Sequence, residues 1–357
     1  MPPTMPTMRA GSRAMSEKRN IPIRTTVVGS YPIPDWLVSA PSQQALIDAT
    51  KVVFKTQEMA GIDVVADGEL YRFDINHPDT NGMIEYFIRP MSGIRSACGR
   101  AELAEFRKMA GMGFRSEPAG LVEGAIGEGT LNLPRDYRRG RECTDHAMKF
   151  TLTGPHMLSK TLMDHHYRDR EKLAMAVAGA LAGQVSEIDP QVIQIDEANI
   201  SGHPDEGPWA AAAINVVFDA AKLAKEKGVH VCFGNYGGQS IQKGEWRKLI
   251  DFMNRLHCDH VVLEFAFRGY EELKYFKGEL DGRIGLGIGV IDIKVNTVES
   301  PEVVANRIEA AAKQVGSERI KWVHPDCGFW MNKRSVADRK MINLVKGRDL
   351  YLGRAIA

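Results

Sequence analysis

The stretch GVHVCFG, residues 228–234, governs how the rest of the chain is read. It sets His230 and Cys232 two residues apart at the end of a short apolar run. Side chains at i and i+2 of a strand point to the same face, so an imidazole and a thiol converge on one point. Two later apolar runs carry a further donor at the same kind of place: Glu264 in VVLEFAF and Cys327 in WVHPDCGF. One histidine, two cysteines and one glutamate form a four-coordinate set suited to zinc. An HxC pair alone is more often an ordinary strand end. Here all four residues stand at the C-terminal ends of strand-like runs.

Eight such runs punctuate the chain, at residues 25–30, 61–69, 150–155, 192–198, 228–234, 260–266, 283–292 and 320–328. Between them lie segments with apolar residues at three- and four-residue spacing, at 42–60, 169–188, 209–227, 245–256 and 301–315, which predict helices. Eight strands alternating with helices predict an α/β fold, a single (β/α)8 or TIM barrel. A doubly wound sheet is the competing arrangement, but it has no need of polar residues at the ends of all eight strands. In a barrel those ends share one mouth, which makes Ser30, Asp67, Glu69, Thr153, Asp196, Lys294, His324 and Asp326 site candidates beside the four donors. Asp196 and Glu197 are adjacent and face opposite ways; Asp196 is expected inside, Glu197 paired with an arginine or lysine of the helix layer. About eighty residues separate Glu69 from Phe150, too many for a simple crossover. This interval predicts an insertion between strands two and three, lying over the mouth.

The barrel is expected to span residues 23–357 and to follow a disordered tail over 1–22, which is rich in Pro, Met, Ser and Arg. A transit peptide is the alternative for that tail, since Arg9 and Arg13 come without early acids. Lys and Arg number 46 against 45 acidic residues, so no bulk field favours nucleic acid or a membrane surface. No run approaches the roughly 20 apolar residues that cross a bilayer. Five cysteines, an odd number without a signal-like segment, argue against a disulfide framework and for a reducing, cytoplasmic setting. GLGIGV, residues 285–290, lacks the full fingerprint of a nucleotide loop, and barrel packing accounts for it equally well. The arginines at 135, 138, 139 and 141 read as solvated surface, or as a contact for an anionic donor or a protein partner.

From residue 23 onward the chain resembles the catalytic domain of cobalamin-independent methionine synthase and the short, single-barrel members of that superfamily. The likeness is carried by VVGSYP, DGELYR, MIEYF, TGP, QIDEA, HVC, Glu264 and HPDCG, in that order. The resemblance implies zinc held by His230, Cys232, Glu264 and Cys327, and homocysteine bound through Ser30, Glu69 and Asp196. It implies methyl transfer to the homocysteine sulfur, from methylfolate or from a methylated corrinoid protein. Zinc lowers the pKa of a bound thiol, and a thiolate can attack an electrophilic carbon.

One departure matters. Methionine synthases usually carry a histidine where this chain has Lys294, and that histidine is thought to protonate the departing folate nitrogen. Lys294 is either an acid or anion-binding group, or a solvated lysine paired with Asp292 or Glu299. The chain also resembles epoxyalkane:coenzyme M transferase, in which a zinc-bound coenzyme M thiolate opens an epoxide. For that reaction Tyr236 and His324 are candidate acids, and Lys294, Arg72, Lys333 and Arg334 candidate cations for the sulfonate. A zinc- and thiol-binding protein without turnover is the reading from outside enzymology.

Overall fold

The computed structural model describes residues 23–355, apart from 73–81, 109–114, 236–239 and 241. The tail expected over 1–22 lies outside the described residues. Eight parallel strands form one sheet: β1 (Arg24–Thr25), β2 (Val65–Ala66), β3 (Met148–Thr153), β4 (Val192–Glu197), β5 (Glu226–Val231), β6 (His260–Leu263), β7 (Gly285–Ile291) and β8 (Ile320–Pro325). Each pairs with its neighbours in the chain, and β8 returns to β1. A parallel bridge between Thr26 and Val64 joins β1 to β2 and closes the ring. The predicted TIM barrel is therefore the fold, as strand–helix alternation and right-handed crossovers require.

Local chemistry sets the helix ends. Ser42 caps Gln43–Ala60 by accepting from the Ala45 amide, and Gly61 stops that helix in a left-handed conformation (φ 82°). Asp169 caps Arg170–Val185, and Ser300 caps Pro301–Val315, which opens on proline. Two predicted helices are shorter than their apolar spacing suggests. The one expected over 209–227 is Gly207–Ala220, because Lys225 and Glu226 donate their amides to Pro190 and Gln191 and enter the sheet. There Glu226 holds Arg24 of β1 through two bonds of 2.7 and 2.6 Å. Tertiary pairing overrides the helix propensity of AKLAKEK. Over 245–256 a 3₁₀ turn (Trp246–Leu249) precedes a short α-helix (Ile250–Asn254).

The insertion between β2 and β3 carries helices Glu85–Ile88, Arg100–Phe106 and Leu133–Arg141 and an antiparallel pair, Ser92–Arg95 with Gly120–Gly127. Its sheet takes a third strand, Leu162–Asp164, from the connection after β3.

The closing seam is short in backbone hydrogen bonds and is reinforced by Asp63. One carboxylate oxygen of Asp63 accepts from the Thr25 amide (2.7 Å), the Thr25 hydroxyl (2.8 Å) and Arg348 (2.6 Å) of helix Arg334–Tyr351. Arg348 is buried and also donates to the Ile23 carbonyl at 3.1 Å. Asp63→Ala leaves Arg348 with Asp349 (2.7 Å) and the Ile23 carbonyl but takes the acceptor from two donors of β1, and should cost about 1–3 kcal/mol of stability. Denaturant unfolding of the variant measures this; a midpoint equal to the native protein's would show that the seam holds without Asp63.

Candidate functional site

Strand alternation divides the barrel residues into two sets. On β3, Lys149, Thr151 and Thr153 form one alternate set, and Met148, Phe150 and Leu152 the other, which joins the apolar core. Gln194 and Asp196 of β4, His230 of β5 and His324 of β8 are likewise buried polar groups. The register pairs Asp196 with both Thr153 and His230. Of the strand ends predicted from the sequence, Thr153, Asp196 and His230 are thus brought side by side on β3, β4 and β5.

His230, Cys232 and Cys327 place their donor atoms within 4.8 Å of one another, a grouping that could hold a metal ion. His230 donates Nδ1–H to the Val262 carbonyl at 3.0 Å, which leaves Nε2 as the ring nitrogen turned towards the thiols. That Nε2 is buried without a hydrogen-bond partner. An orphaned ring nitrogen beside two thiols fits a soft or borderline metal. Donation from the Cys232 thiol, opposed by burial and helped by His230, holds the Cys327 thiol well below its ordinary range. The same contact, together with burial, raises Cys232. One thiolate is therefore favoured even without an ion.

Glu264 is not part of that cluster. Its carboxylate is fully buried and faces Lys294, whose Nζ is 3.4 Å from both oxygens. Burial raises the Glu264 pKa, and the Lys294 charge opposes the rise. Lys294 is therefore neither solvated nor paired with the side chains expected for it. Asp292 accepts from its backbone amide, and Glu299 pairs with Lys340 at 2.7 Å and Arg307 at 3.1 Å.

Glu69 sits at a positive φ of 59°, a conformation held by its own contacts. Its carboxylate accepts from the Thr151 hydroxyl (2.6 Å) and faces Arg72 Nη1 at 3.2 Å. Arg72 is buried among the rings of Phe87, Tyr71 and Tyr86, at 5.1, 5.6 and 5.9 Å, so the insertion reaches the site through this guanidinium. Ser30 lies against Gly328, beside Cys327; a Cβ on that glycine would fall 1.9 Å from the Ser30 hydroxyl. Thr153 Oγ1 joins His230 Nε2 as a buried polar atom without a hydrogen-bond partner, while Arg72 Nη1 has only its ion pair with Glu69.

Other expectations change. Glu197 pairs with a histidine, not with an arginine or lysine: His156 Nδ1 is 2.8 Å from one oxygen, and the Met157 amide donates to the other at 3.0 Å. His324 is wholly buried, directs Nδ1 to the Pro325 carbonyl at 2.7 Å and is pushed down to about 3 by burial. It is a neutral ring at physiological pH. Tyr236 lies outside the described residues. GLGIGV is β7 itself. Its glycines make room for neighbours, since a Cβ at Gly287 would lie 3.0 Å from His324 Nε2 and one at Gly289 2.1 Å from Asp326 Oδ1.

Two residues carry more than their sequence positions suggest. Asp326 accepts three backbone amides, Phe265 and Ala266 at 2.9 Å and Phe267 at 2.8 Å. Lys149 reaches the Val27 carbonyl and Gln194 Oε1 (2.8 Å), and burial pulls its pKa down to about 7. A lysine alternating with threonines in MKFTLT was the available signal for the second.

Residues 23–348 match the model of the cobalamin-independent synthase catalytic domain. The chain belongs to that family. A methionine synthase of Sulfurisphaera tokodaii is 30% identical over 342 residues, covering 91% of each chain. A methionine synthase of Thermococcus kodakarensis is 29% identical, covering 91% of this chain and 92% of its own. In fold, the chain superposes on a B12-independent methionine synthase from Shewanella sp. W3-18-1, solved with selenomethionine, at a TM-score of 0.75 and 24% identity. That likeness covers 93% of this chain and 98% of the other. Among the described residues no helix is long and apolar enough to cross a membrane.

Within this family member, Asp196 is one of three aspartates, with Asp67 and Asp326, whose charge burial makes costly. Burial lifts its carboxyl from 3.8 to about 7, with Glu69 adding to the rise and His230 and Arg72 opposing it. A carboxyl raised in the folded state binds its proton more tightly there, so the penalty builds from about pH 4 to pH 7 and is complete above. Asp196→Asn should therefore stabilise the ligand-free protein at pH 8 by about 2–4 kcal/mol. The gain should vanish below about pH 4. Unfolding curves across that range check the sign; a pH-independent difference would contradict it.

Proposed function

We propose that this protein is a zinc-dependent methyltransferase that transfers a methyl group to the sulfur of homocysteine, forming methionine. The observation that carries the reading is the cluster of buried His230 and Cys232 with partly buried Cys327, close to the acidic pair Glu69 and Asp196, whose charges act on each other. The names of the family's relatives support the same acceptor. Three protein donors leave a position for a substrate sulfur, the arrangement of catalytic rather than structural zinc. When bound, zinc would supply a Lewis acid that keeps the acceptor's thiol ionised at neutral pH.

The chain's own residues do the rest. Glu69 and Asp196 bind the acceptor's ammonium group, and Ser30 its carboxylate end. Their fixed anchors, Thr151, Arg72 and Gln194, hold the carboxylates in place, which orients the sulfur for in-line attack. In that step a sulfur–carbon bond forms and the carbon–donor bond breaks, its electron pair staying with the donor. The donor is methylfolate or a methylated corrinoid protein. Lys294 takes no part as an acid, since Glu264 and Ser240 engage it, and neutral His324 has no outward proton to give. Two acids suit an ammonium group and not a sulfonate, so coenzyme M and epoxide opening draw no support.

Zinc-edge X-ray absorption tests the acceptor: homocysteine should add one sulfur to a shell already holding two. An unchanged sulfur count would overturn the assignment. Cys232→Ser or Cys327→Ser should lose metal and methyl transfer together, as measured by metal content and turnover. Asp196→Asn should keep its zinc but raise the KM for homocysteine at least about tenfold, by analogy with the loss of other buried ion pairs.

A further inference from the structure

The register of β1 on β8 covers Arg24 and Thr25, and Thr26 adds the bridge to Val64. From there to Ser30 the segment is gripped by side chains from across the barrel. Lys149 of β3 reaches past β2 and donates to the Val27 carbonyl, and to Gln194 Oε1 at 2.8 Å. With its oxygen engaged, Gln194 turns its amide nitrogen to the Val28 carbonyl at 2.9 Å and to Asp196 Oδ1 at 2.7 Å. Both N–H donors of that amide are thereby used. Gly29 then passes close to Glu69, since a Cβ there would lie 2.2 Å from Glu69 Oε1, and the Ser30 carbonyl accepts from the Phe329 amide at 2.9 Å. Lys149 and Gln194 are 1% and 0% exposed. Burying an amine and an amide costs more than burying aliphatic chains of the same size, so filling space does not account for them. A side chain that must cross from β3 to β1 and donate twice does.

We propose that Lys149 is a positioning residue that fixes the spacing between the two ends of the acceptor site: Asp196, at the ammonium, and Ser30, at the carboxylate. This rests on the acceptor reading given above. Lys149 sets the Gln194 amide, and that one amide holds both Asp196 and the Val28 carbonyl on the way to Ser30, so neither end shifts without the other. A molecule with ammonium and carboxylate on one carbon spans both ends at once. One with a single charged end draws no benefit from their spacing. The lysine therefore selects for an α-amino acid as acceptor.

Calorimetry on the purified full-length protein tests this with three ligands that carry no ionisable thiol. L-methionine has both charged ends, methylthiopropylamine only the ammonium, and methylthiobutanoate only the carboxylate. Lys149→Met keeps an unbranched side chain and removes the donors. It should weaken L-methionine at least about tenfold and each one-ended ligand less than about threefold, with metal content unchanged. Gln194→Met cuts the same link from the other side and should also weaken L-methionine more than either one-ended ligand; it serves if Lys149→Met does not fold. An unchanged affinity for L-methionine, or an equal loss for all three ligands, would overturn this inference alone. If the native protein binds L-methionine no more tightly than the one-ended ligands, the acceptor reading falls, and this inference with it.

Discussion

The carboxylate of Asp326 is the constraint on which the site depends. It accepts three successive amides from residues 265–267 and so ties the end of β8 to the segment leaving β6. Glu264 immediately precedes those amides and Cys327 immediately follows Asp326. A single side chain therefore fixes the separation of two candidate ligands that lie 63 residues apart (327 − 264). Three successive N–H groups satisfied by one buried carboxyl group make a rigid joint. The joint in turn needs the bare backbone of Gly289, because a Cβ there would fall 2.1 Å from the Asp326 oxygen. The glycine pattern of β7 is the imprint of the site on a neighbouring strand.

Inside the barrel, function and stability pull in opposite directions. Lys149, Gln194, Asp196, His260 and His324 are buried polar groups where aliphatic layers would pack at less electrostatic cost. Burial pushes His260 and His324 down to about 3 and Lys149 down to about 7. The histidines thus stay neutral, and the lysine is poised close to losing its charge. A polar interior of this kind is the arrangement by which stability is given up for a preorganised site, in keeping with the function proposed above.

Much of this was legible in the sequence because strand periodicity is local. The period of two placed His230 and Cys232 on one face, and polar residues at the ends of apolar runs marked the mouth. What escaped depends on register. Neither the pairing of Glu197 with His156 nor that of Lys294 with Glu264 leaves a local pattern, since the partners lie 41 and 30 residues apart. The helix expected to run to 227 shows the same limit: AKLAKEK favours a helix, and only β4 and Arg24 reveal that its end belongs to a strand. Asp326 was visible as a polar residue at a strand end, but its three amide partners were not.

The seam between β1 and β2 joins events far apart in time. Asp63 and Thr25 are made early on the ribosome, whereas Arg348, which binds the same carboxylate, emerges only after all eight strands have been synthesised. Until then the first strand lacks both β8 and the guanidinium that neutralises Asp63, so a nascent barrel waits open along one edge. Such an edge is a template for wrong pairing. The last helix is thus both a wall of the finished barrel and the latch that ends its exposure during synthesis.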